Sequence, residues 1–138
     1  RKVRIAECLQ EKKRPSEVGG KYAHSPEVEE IFRQQREQWE NPAWRYSDEE
    51  NFFDFKERVR QFLVMLEERQ GENVLAVTHG GVLRMLVCLM LFGEELSPPF
   101  FFRFWHFART ENTGITVCEQ KEGKGWRLLV WNDHAHLG

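Results

Sequence analysis

The sequence lacks the features that mark nucleic-acid-binding and membrane proteins. Its 138 residues carry 20 Lys and Arg against 22 Asp and Glu, so there is no basic excess with which to neutralise a polyanion. No apolar run reaches the roughly 18 residues that a membrane span needs, and the longest run, residues 82–92, contains Arg84. No signal peptide is visible. We therefore expect no nucleic-acid partner and no membrane partner.

Cysteine is scarce, and its pattern excludes a disulfide framework. Cys8, Cys88 and Cys118 are widely spaced, odd in number and set in apolar segments. This pattern is typical of buried free thiols in a reducing compartment, so we expect a cytoplasmic protein. No metal and no cofactor are suggested.

The chain has no internal repeat and no low-complexity linker, and its length fits one domain. It opens at Arg1 without a methionine, directly on a predicted strand from Val3 to Leu9. We therefore expect a single domain over residues 1–138 that is incomplete at its N-terminus.

A buried strand, a glycine turn and a helix are predicted in succession at "NVLAVTHGGVLRMLV", residues 73–87. The continuous apolar run Val74–Val77 is typical of a strand covered on both faces. After Gly80-Gly81 the apolar spacing becomes helical as far as Gly93. A helix that begins at a glycine turn presents free backbone N–H groups and the positive end of its dipole, which favour an anion. His79 would lie at the carboxyl end of the strand, where open α/β sheets bind ligands.

Capping signals and apolar periodicity predict the other elements. Three further helices are predicted, from Pro26 to about Gln38, from the Ser47–Glu50 capping box to Gly71, and from Ser97-Pro98-Pro99 onward. Alternating residues 114–120 and 126–131, joined by "KEGKG", predict a hairpin. The aromatic cluster Phe100–Phe107 is most simply core, although part of it could line a substrate cleft. Together the elements predict an α/β fold with a mostly parallel sheet and helices on both faces.

Four stretches, in order along the chain, carry a resemblance to one family. They are "LQEKKRPSEVGGK", which holds a Leu-x-Glu segment, then "VLAVTHGGVLRML", "ENTGITVCE" and "WNDHAHL". They resemble the acid/base segment, the second-histidine motif, the following asparagine-led strand and the closing tail of the histidine phosphatase superfamily. The resemblance covers nearly the whole chain and implies a phosphoglycerate-mutase-like fold.

The resemblance also implies roles for particular residues. Glu11 is implied as the general acid and then the base that activates water. His79, protonated beside a phosphate, and the N–H of Gly80 would donate to its non-bridging oxygens. Thr78 and Asn112 would hold these groups in position without contacting the ligand themselves. The ligand would be a small phosphorylated substrate or inorganic phosphate.

The sequence departs from the family pattern at the nucleophile. The family uses a histidine in an Arg-His-Gly motif on a first, central strand, and none of the five histidines here follows an arginine. We therefore expect the first central strand and its phosphate-clamping arginines to be missing. Because this would leave neighbouring strands unpaired, a homodimer or a strand swap is expected to cover the gap.

Three functions remain open at this point. The first is a phosphatase that hydrolyses small phosphomonoesters through a phosphohistidine-type site, of which the chain carries the second-histidine half. The second is a non-catalytic phosphate-binding or interaction module. The third is a phosphoglycerate-mutase-type phosphotransferase, which the short stretch between Glu11 and His79 disfavours.

Simpler interpretations also remain open for the candidate residues. His79 could be an ordinary strand-end histidine, and Glu7 competes with Glu11 for the acid/base role. Asn112 could brace the turn before its strand. Arg84, in the first turn of the helix, is interpreted as a surface residue or one that supports the site from behind.

Overall fold

The computed structural model describes residues 3–69 and 71–138 of the chain. Within these ranges it contains the helices α1 Pro26–Glu37, α2 Phe52–Glu67, α3 Gly80–Phe92 and α4 Pro98–Phe107, and the strands β1 Ile115–Lys121 and β2 Gly125–Asp133. Short 3-10 helices lie at Glu7–Leu9, Ser16–Val18, Gly93–Glu95 and Ala135–Leu137. In this part of the chain no helix combines the length and hydropathy that crossing a bilayer requires.

Helix α1 begins as its capping signal predicts. The Ser25 side chain accepts a hydrogen bond from the N–H of Val28, and Pro26 occupies the first helical position, where its missing N–H costs nothing. Val28 and Ile31 are buried on the side of α1 that faces the rest of the molecule.

Helix α2 begins at Phe52, so the start predicted at Ser47–Glu50 is wrong. The capping box is formed by Asn51, whose side chain accepts from the N–H of Asp54, while the Asp54 carboxylate accepts from the N–H of Asn51. The acidic side chains of Ser47–Glu50 instead accept hydrogen bonds from loop backbone N–H groups. Two capping signals lie within five residues, and the carboxylates of the first are occupied by N–H groups of their own loop and of the loop around Lys13 and Ser16.

Helices α2, α3 and α4 enclose the core. Helix α3 ends at Gly93, whose φ of 55° favours glycine, and α4 starts after Ser97 with two prolines in its first turn, both as predicted. The buried side chains of the main cluster are Phe52, Phe55, Val59, Phe62, Leu63, Val82, Met85, Leu86, Cys88, Leu89, Leu96 and Phe101.

The predicted hairpin is confirmed. Strands β1 and β2 pair antiparallel from Ile115 opposite Asp133 to Lys121 opposite Gly125, with irregular register near Val117. Alternation of side chains and a glycine-containing turn are local signals, which is why the sequence identifies this element.

The predicted parallel sheet is not confirmed, and two predicted strands are wrong. In the described ranges the sheet is the two-stranded antiparallel hairpin. The stretch predicted as a strand from Val3 to Leu9 is irregular and then turns into a 3-10 helix, and Val74–Val77 is irregular. Ile5 is 96% and Leu75 89% exposed. An apolar segment becomes a buried strand only when neighbouring strands pair with its edges, and no described segment pairs with these two.

Candidate active site

His79 lies where an irregular segment enters α3. It is the N-cap residue, and its carbonyl accepts from the N–H of Leu83 at 3.0 Å. The imidazole makes no capping hydrogen bond and His79 is exposed, so the ring is available to a ligand. The first N–H groups of a helix have no partner within the helix, and they carry the positive end of its dipole. The start of α3 is therefore suited to an anion.

The Glu11 carboxylate lies against the same helix start. A Cβ placed on Gly81 would collide with Glu11 Oε1 and would stand 3.2 Å from its Cδ. Glu11 Oε1 also accepts from the backbone N–H of Lys12 at 2.8 Å. Because Gly81 has no side chain, the carboxylate can approach the first turn of α3, next to His79 in the chain. The structure thus brings together the two residues that the sequence predicts as catalytic.

The segment before Glu11 is fixed by side chains from distant elements. Thr78 Oγ1 donates to the carbonyl of Leu9 at 2.8 Å, and Arg58 Nη1 donates to the carbonyls of Cys8 and Gln10, each at 2.9 Å. Thr78 therefore ties the segment that carries His79 to the segment that carries Glu11. The sequence predicts Thr78 near the site but does not identify Arg58.

Arg58 is held in place by Glu50. Two hydrogen bonds join the guanidinium to the Glu50 carboxylate, with Arg58 Nη2 at 2.7 Å from Oε2, and both side chains are only about one-fifth exposed. Burial acts to raise the pKa of Glu50, but hydrogen bonds from Arg58 and from the N–H of Lys13 outweigh it and hold that pKa below its ordinary value. The pair stays charged and anchors the Glu11 segment on α2.

Arg84 reaches the site from the second turn of α3. Its Nε donates to the carbonyl of Ala108 at 2.8 Å, and its guanidinium stacks 4.5 Å from the centre of the Trp105 ring. A Cβ placed on Gly80 would stand 3.4 Å from Arg84 Nη1 and 2.6 Å from Thr110 Oγ1. Burial lowers the pKa of Arg84, and the nearby Glu11 carboxylate opposes that effect.

From the sequence, Arg84 is considered as a surface residue or one that supports the site, whereas Thr110 is not identified. The sequence does contain a signal for Arg84, because it stands four positions after Gly80 and so lies on the same side of the helix. For Thr110 the sequence offers no comparable signal, since its position depends on how the chain returns after α4.

The turn before β1, which Asn112 is considered to brace, is held by Asn132. Asn112 is exposed, whereas Asn132 is buried and has a φ of 50°. Asn132 Oδ1 accepts from the N–H of Glu111 at 2.8 Å, and its own N–H donates to Thr116 Oγ1 at 3.1 Å. Asn132 therefore fixes the turn that leads into β1.

Glu7, which competes with Glu11 for the acid/base role, is exposed in the 3-10 helix Glu7–Leu9. The three atoms nearest to a Cβ placed on Gly81 all belong to Glu11. The geometry therefore favours Glu11.

Metal ligands do not gather at this site. Across residues 3–69 and 71–138, no three His, Cys, Asp or Glu side chains cluster as metal ligands would.

Comparison with known proteins identifies the family of this chain. The family model of the histidine phosphatase superfamily (branch 1) matches residues 5–134. A protein of Hydrogenobacter thermophilus named "Putative phosphoserine phosphatase 2" is 34% identical over 88 residues, which are 64% of this chain and 39% of that protein. "Phosphoglycerate mutase-like protein 4" of Arabidopsis thaliana is 31% identical over 71 residues, which are 51% of this chain and 26% of that protein.

The matched stretch thus spans well under half the length of either curated relative. No solved structure matches the chain significantly. The family match extends over nearly the whole sequence and includes His79 and Glu11. The chain therefore belongs to the histidine phosphatase superfamily.

Proposed function

We propose that this chain binds the phosphoryl group of small phosphomonoesters at the start of α3 and serves in their hydrolysis. The observation that carries the proposal is the convergence of the Glu11 carboxylate and His79 on the first turn of one helix. A proton carrier, an imidazole and the first N–H groups of a helix are the kinds of group that phosphoryl transfer needs. Membership of the superfamily and the name of the Hydrogenobacter relative support a phosphatase.

The chemistry follows from what each group can do. Hydrolysis breaks the bond between phosphorus and the ester oxygen, and the departing alkoxide needs a proton. The Glu11 carboxyl gives that proton, while water attacks phosphorus from the opposite side and loses its own proton to solvent, from which Glu11 is reprotonated after the products leave. Protonated His79, the N–H of Gly80 and the Arg84 guanidinium stabilise the negative charge on the non-bridging oxygens.

A second candidate function is favoured by one feature of the sequence. The superfamily's nucleophile stands in an Arg-His-Gly motif, and none of the five histidines here follows an arginine. The residues at the start of α3 correspond to the second-histidine half of a phosphohistidine-type site. A non-catalytic phosphate-binding module would need only this half. Turnover separates the two functions.

A titration of the His79 imidazole with inorganic phosphate tests the site itself. We expect its NMR resonances to shift saturably with phosphate, and this shifting signal to be absent from His79→Gln. His136→Gln is the matched control and should keep the signal, because His136 lies in the C-terminal 3-10 helix beside Thr113. Resonances of His79 that do not move with phosphate would contradict both candidate functions.

We further propose that a second copy of the chain completes a sheet along the exposed apolar segments. Val77 is 87% exposed, although it ends an apolar run. A cavity of about 860 Å³ lies between residues 71–78, α3 and the hairpin, and apolar side chains such as Leu86 and Leu129 line it. A strand from a second copy would pair with the free backbone of residues 74–77 and cover this cavity.

We also propose a cytoplasmic location. Three free thiols, Cys8, Cys88 and Cys118, support it, because free cysteines are typical of a reducing compartment.

A further inference from the structure

An aromatic cavity of about 700 Å³ opens beside Glu11. It lies between the loop that follows Glu11, helix α1, the segment 39–52 and helix α4, and its size is that of a small-molecule site. Glu11 forms part of its wall. In the proposed reaction Glu11 gives its proton to the leaving oxygen, so the cavity lies on the side where the alcohol part of the substrate departs.

The walls of this cavity are flat aromatic rings. Trp39 stacks on Phe102 with ring centres 4.6 Å apart and an angle of 21° between the rings. Trp44 and Trp105 also line the cavity, and all four of these side chains are only partly buried. Aromatic faces that are not fully covered by the protein favour another planar ring in offset-stacked or edge-to-face contact.

The cavity wall carries charges of both signs, because Glu11, Glu29, Glu49 and Glu50 line it together with three cations. Lys12, Arg14 and Arg36 line the cavity, and none of them forms an ion pair within the described part of the chain. Three of the four carboxylates have other partners, since Glu49 accepts from the N–H groups of Tyr46 and Ser47, Glu50 pairs with Arg58, and Glu29 lies 3.8 Å from the His24 ring.

Lys12 is partly buried in the cavity wall. Burial lowers the pKa of its ammonium group, and the nearby Glu49 and Glu50 carboxylates oppose the effect without cancelling it. Cations on the wall of an apolar cavity attract the electron-rich faces of aromatic rings.

We infer that this cavity binds the alcohol part of the substrate, an inference that rests on the proposed phosphoryl site at His79. The preferred substrates are then phosphomonoesters whose alcohol carries a planar aromatic group. A small aliphatic ester, such as phosphoserine, would leave the open ring faces of the cavity wall uncovered.

Binding of two stable phosphonates tests this inference without requiring turnover. The ligands are 2-naphthylmethylphosphonate and methylphosphonate, whose C–P bonds are not hydrolysed. Affinity is measured by calorimetry, and occupancy of the phosphoryl position by the NMR shift of His79. We expect the naphthyl ligand to bind at least about tenfold more tightly, with both ligands shifting His79.

Variants locate the source of that preference. Trp39→Ala is expected to remove most of the tenfold preference and to leave the affinity for methylphosphonate unchanged. Trp44→Ala serves the same purpose should loss of the Trp39–Phe102 stack unfold the chain. Trp126→Ala is the control, because Trp126 bonds to Glu67 beside the hairpin and should leave both affinities unchanged.

The two proposals fail in distinguishable ways. Equal affinities for the two ligands, with His79 shifting in both titrations, would overturn the aromatic preference and leave the phosphoryl site standing. Binding that never shifts His79 would overturn the phosphoryl site and, with it, the assignment of the cavity to the leaving alcohol. A naphthyl preference that survives Trp39→Ala and Trp44→Ala would overturn the role given to the cavity.

Discussion

At the scale of single residues, the site depends on side chains that position the catalytic candidates rather than on the candidates alone. Arg58 contacts two carbonyls of the segment before Glu11 and is itself held by Glu50. A charge in this setting is costly to leave without its partner, because both side chains are largely removed from water.

Replacing Arg58 should therefore destabilise the fold. We expect Arg58→Gln to lower the free energy of unfolding by about 2–4 kcal/mol, since it leaves Glu50 and two carbonyls short of hydrogen bonds. Arg60→Gln removes an exposed pair with Glu57 on the same helix and should cost less than about 0.5 kcal/mol. Urea denaturation of both variants measures the difference, and equal losses would mean that Arg58 is not an anchor.

The sequence identifies residues whose roles follow from local pattern and misses those whose roles depend on distant contacts. His79 and Glu11 stand out from a glycine turn and from a family resemblance, and the structure places them at one helix start. Arg58 and Thr110 reach the site only because the chain folds back on itself. The residues next to Arg58 and Thr110 in the sequence give no indication that these two lie near the site.

At the scale of elements, the approach of Glu11 to α3 depends on a missing side chain. Alanine is a better helix former than glycine, so Gly81→Ala would ordinarily stabilise α3. Here the new Cβ would displace the Glu11 carboxylate. The two effects oppose each other.

A double-mutant cycle separates these effects. We expect Gly81→Ala to leave the stability of the native chain nearly unchanged or to lower it. In a Glu11→Ala background the same substitution should stabilise the chain by about 0.5–1 kcal/mol. The same gain in both backgrounds would show that the carboxylate does not touch α3.

The loop around Ser16 should loosen in acid. The N–H of Ser16 and the Lys13 ammonium bond to Asp48 and lower its pKa to about 2 from an ordinary 3.8. A carboxylate with a lowered pKa in the folded state stabilises the fold fully above its unfolded pKa, and this stability is lost as the pH falls toward the folded value.

Unfolding experiments between about pH 5 and pH 2 check this. We expect stability to decrease through this range, and the decrease to be smaller in Asp48→Asn, which cannot titrate at that position. Glu68→Gln, at the exposed end of α2, is the control and should follow the native profile. If stability falls as steeply with pH in Asp48→Asn as in the native chain, the bonds from Ser16 and Lys13 to Asp48 do not stabilise the fold.

Local and non-local elements are not equally predictable. The start of α1, the end of α3 and the hairpin follow from the sequence because caps, glycines and alternation act within a few residues. The predicted start of α2 is misplaced, since Asp48 and Glu50 accept hydrogen bonds from a distant loop and Glu49 from its own. The strands predicted at Val3–Leu9 and Val74–Val77 are not formed, because a strand needs neighbouring strands to pair with and an apolar pattern does not indicate whether they exist.

At the scale of the whole molecule, the exposed apolar segments are the surface on which the proposed second copy would pair. Light scattering over a concentration series should give a mass that rises from that of one chain, 16.5 kDa, toward twice that value. Leu75→Lys is expected to hold the mass at one chain, because a charged residue on an exposed strand edge opposes pairing. The control Leu91→Lys changes another exposed residue, 65% accessible at the end of α3. A native chain that stays monomeric at all concentrations would contradict the proposal.

The most direct test of the central claim is hydrolysis of an aryl phosphomonoester by this chain and by its variants. We expect release of phosphate that falls by about 100-fold or more in His79→Gln and in Glu11→Gln, and that is unchanged in His136→Gln. Turnover that survives both His79→Gln and Glu11→Gln would contradict the site at the start of α3. No turnover in the native chain, with phosphate still shifting the His79 resonances, would contradict hydrolysis and leave the phosphate-binding module.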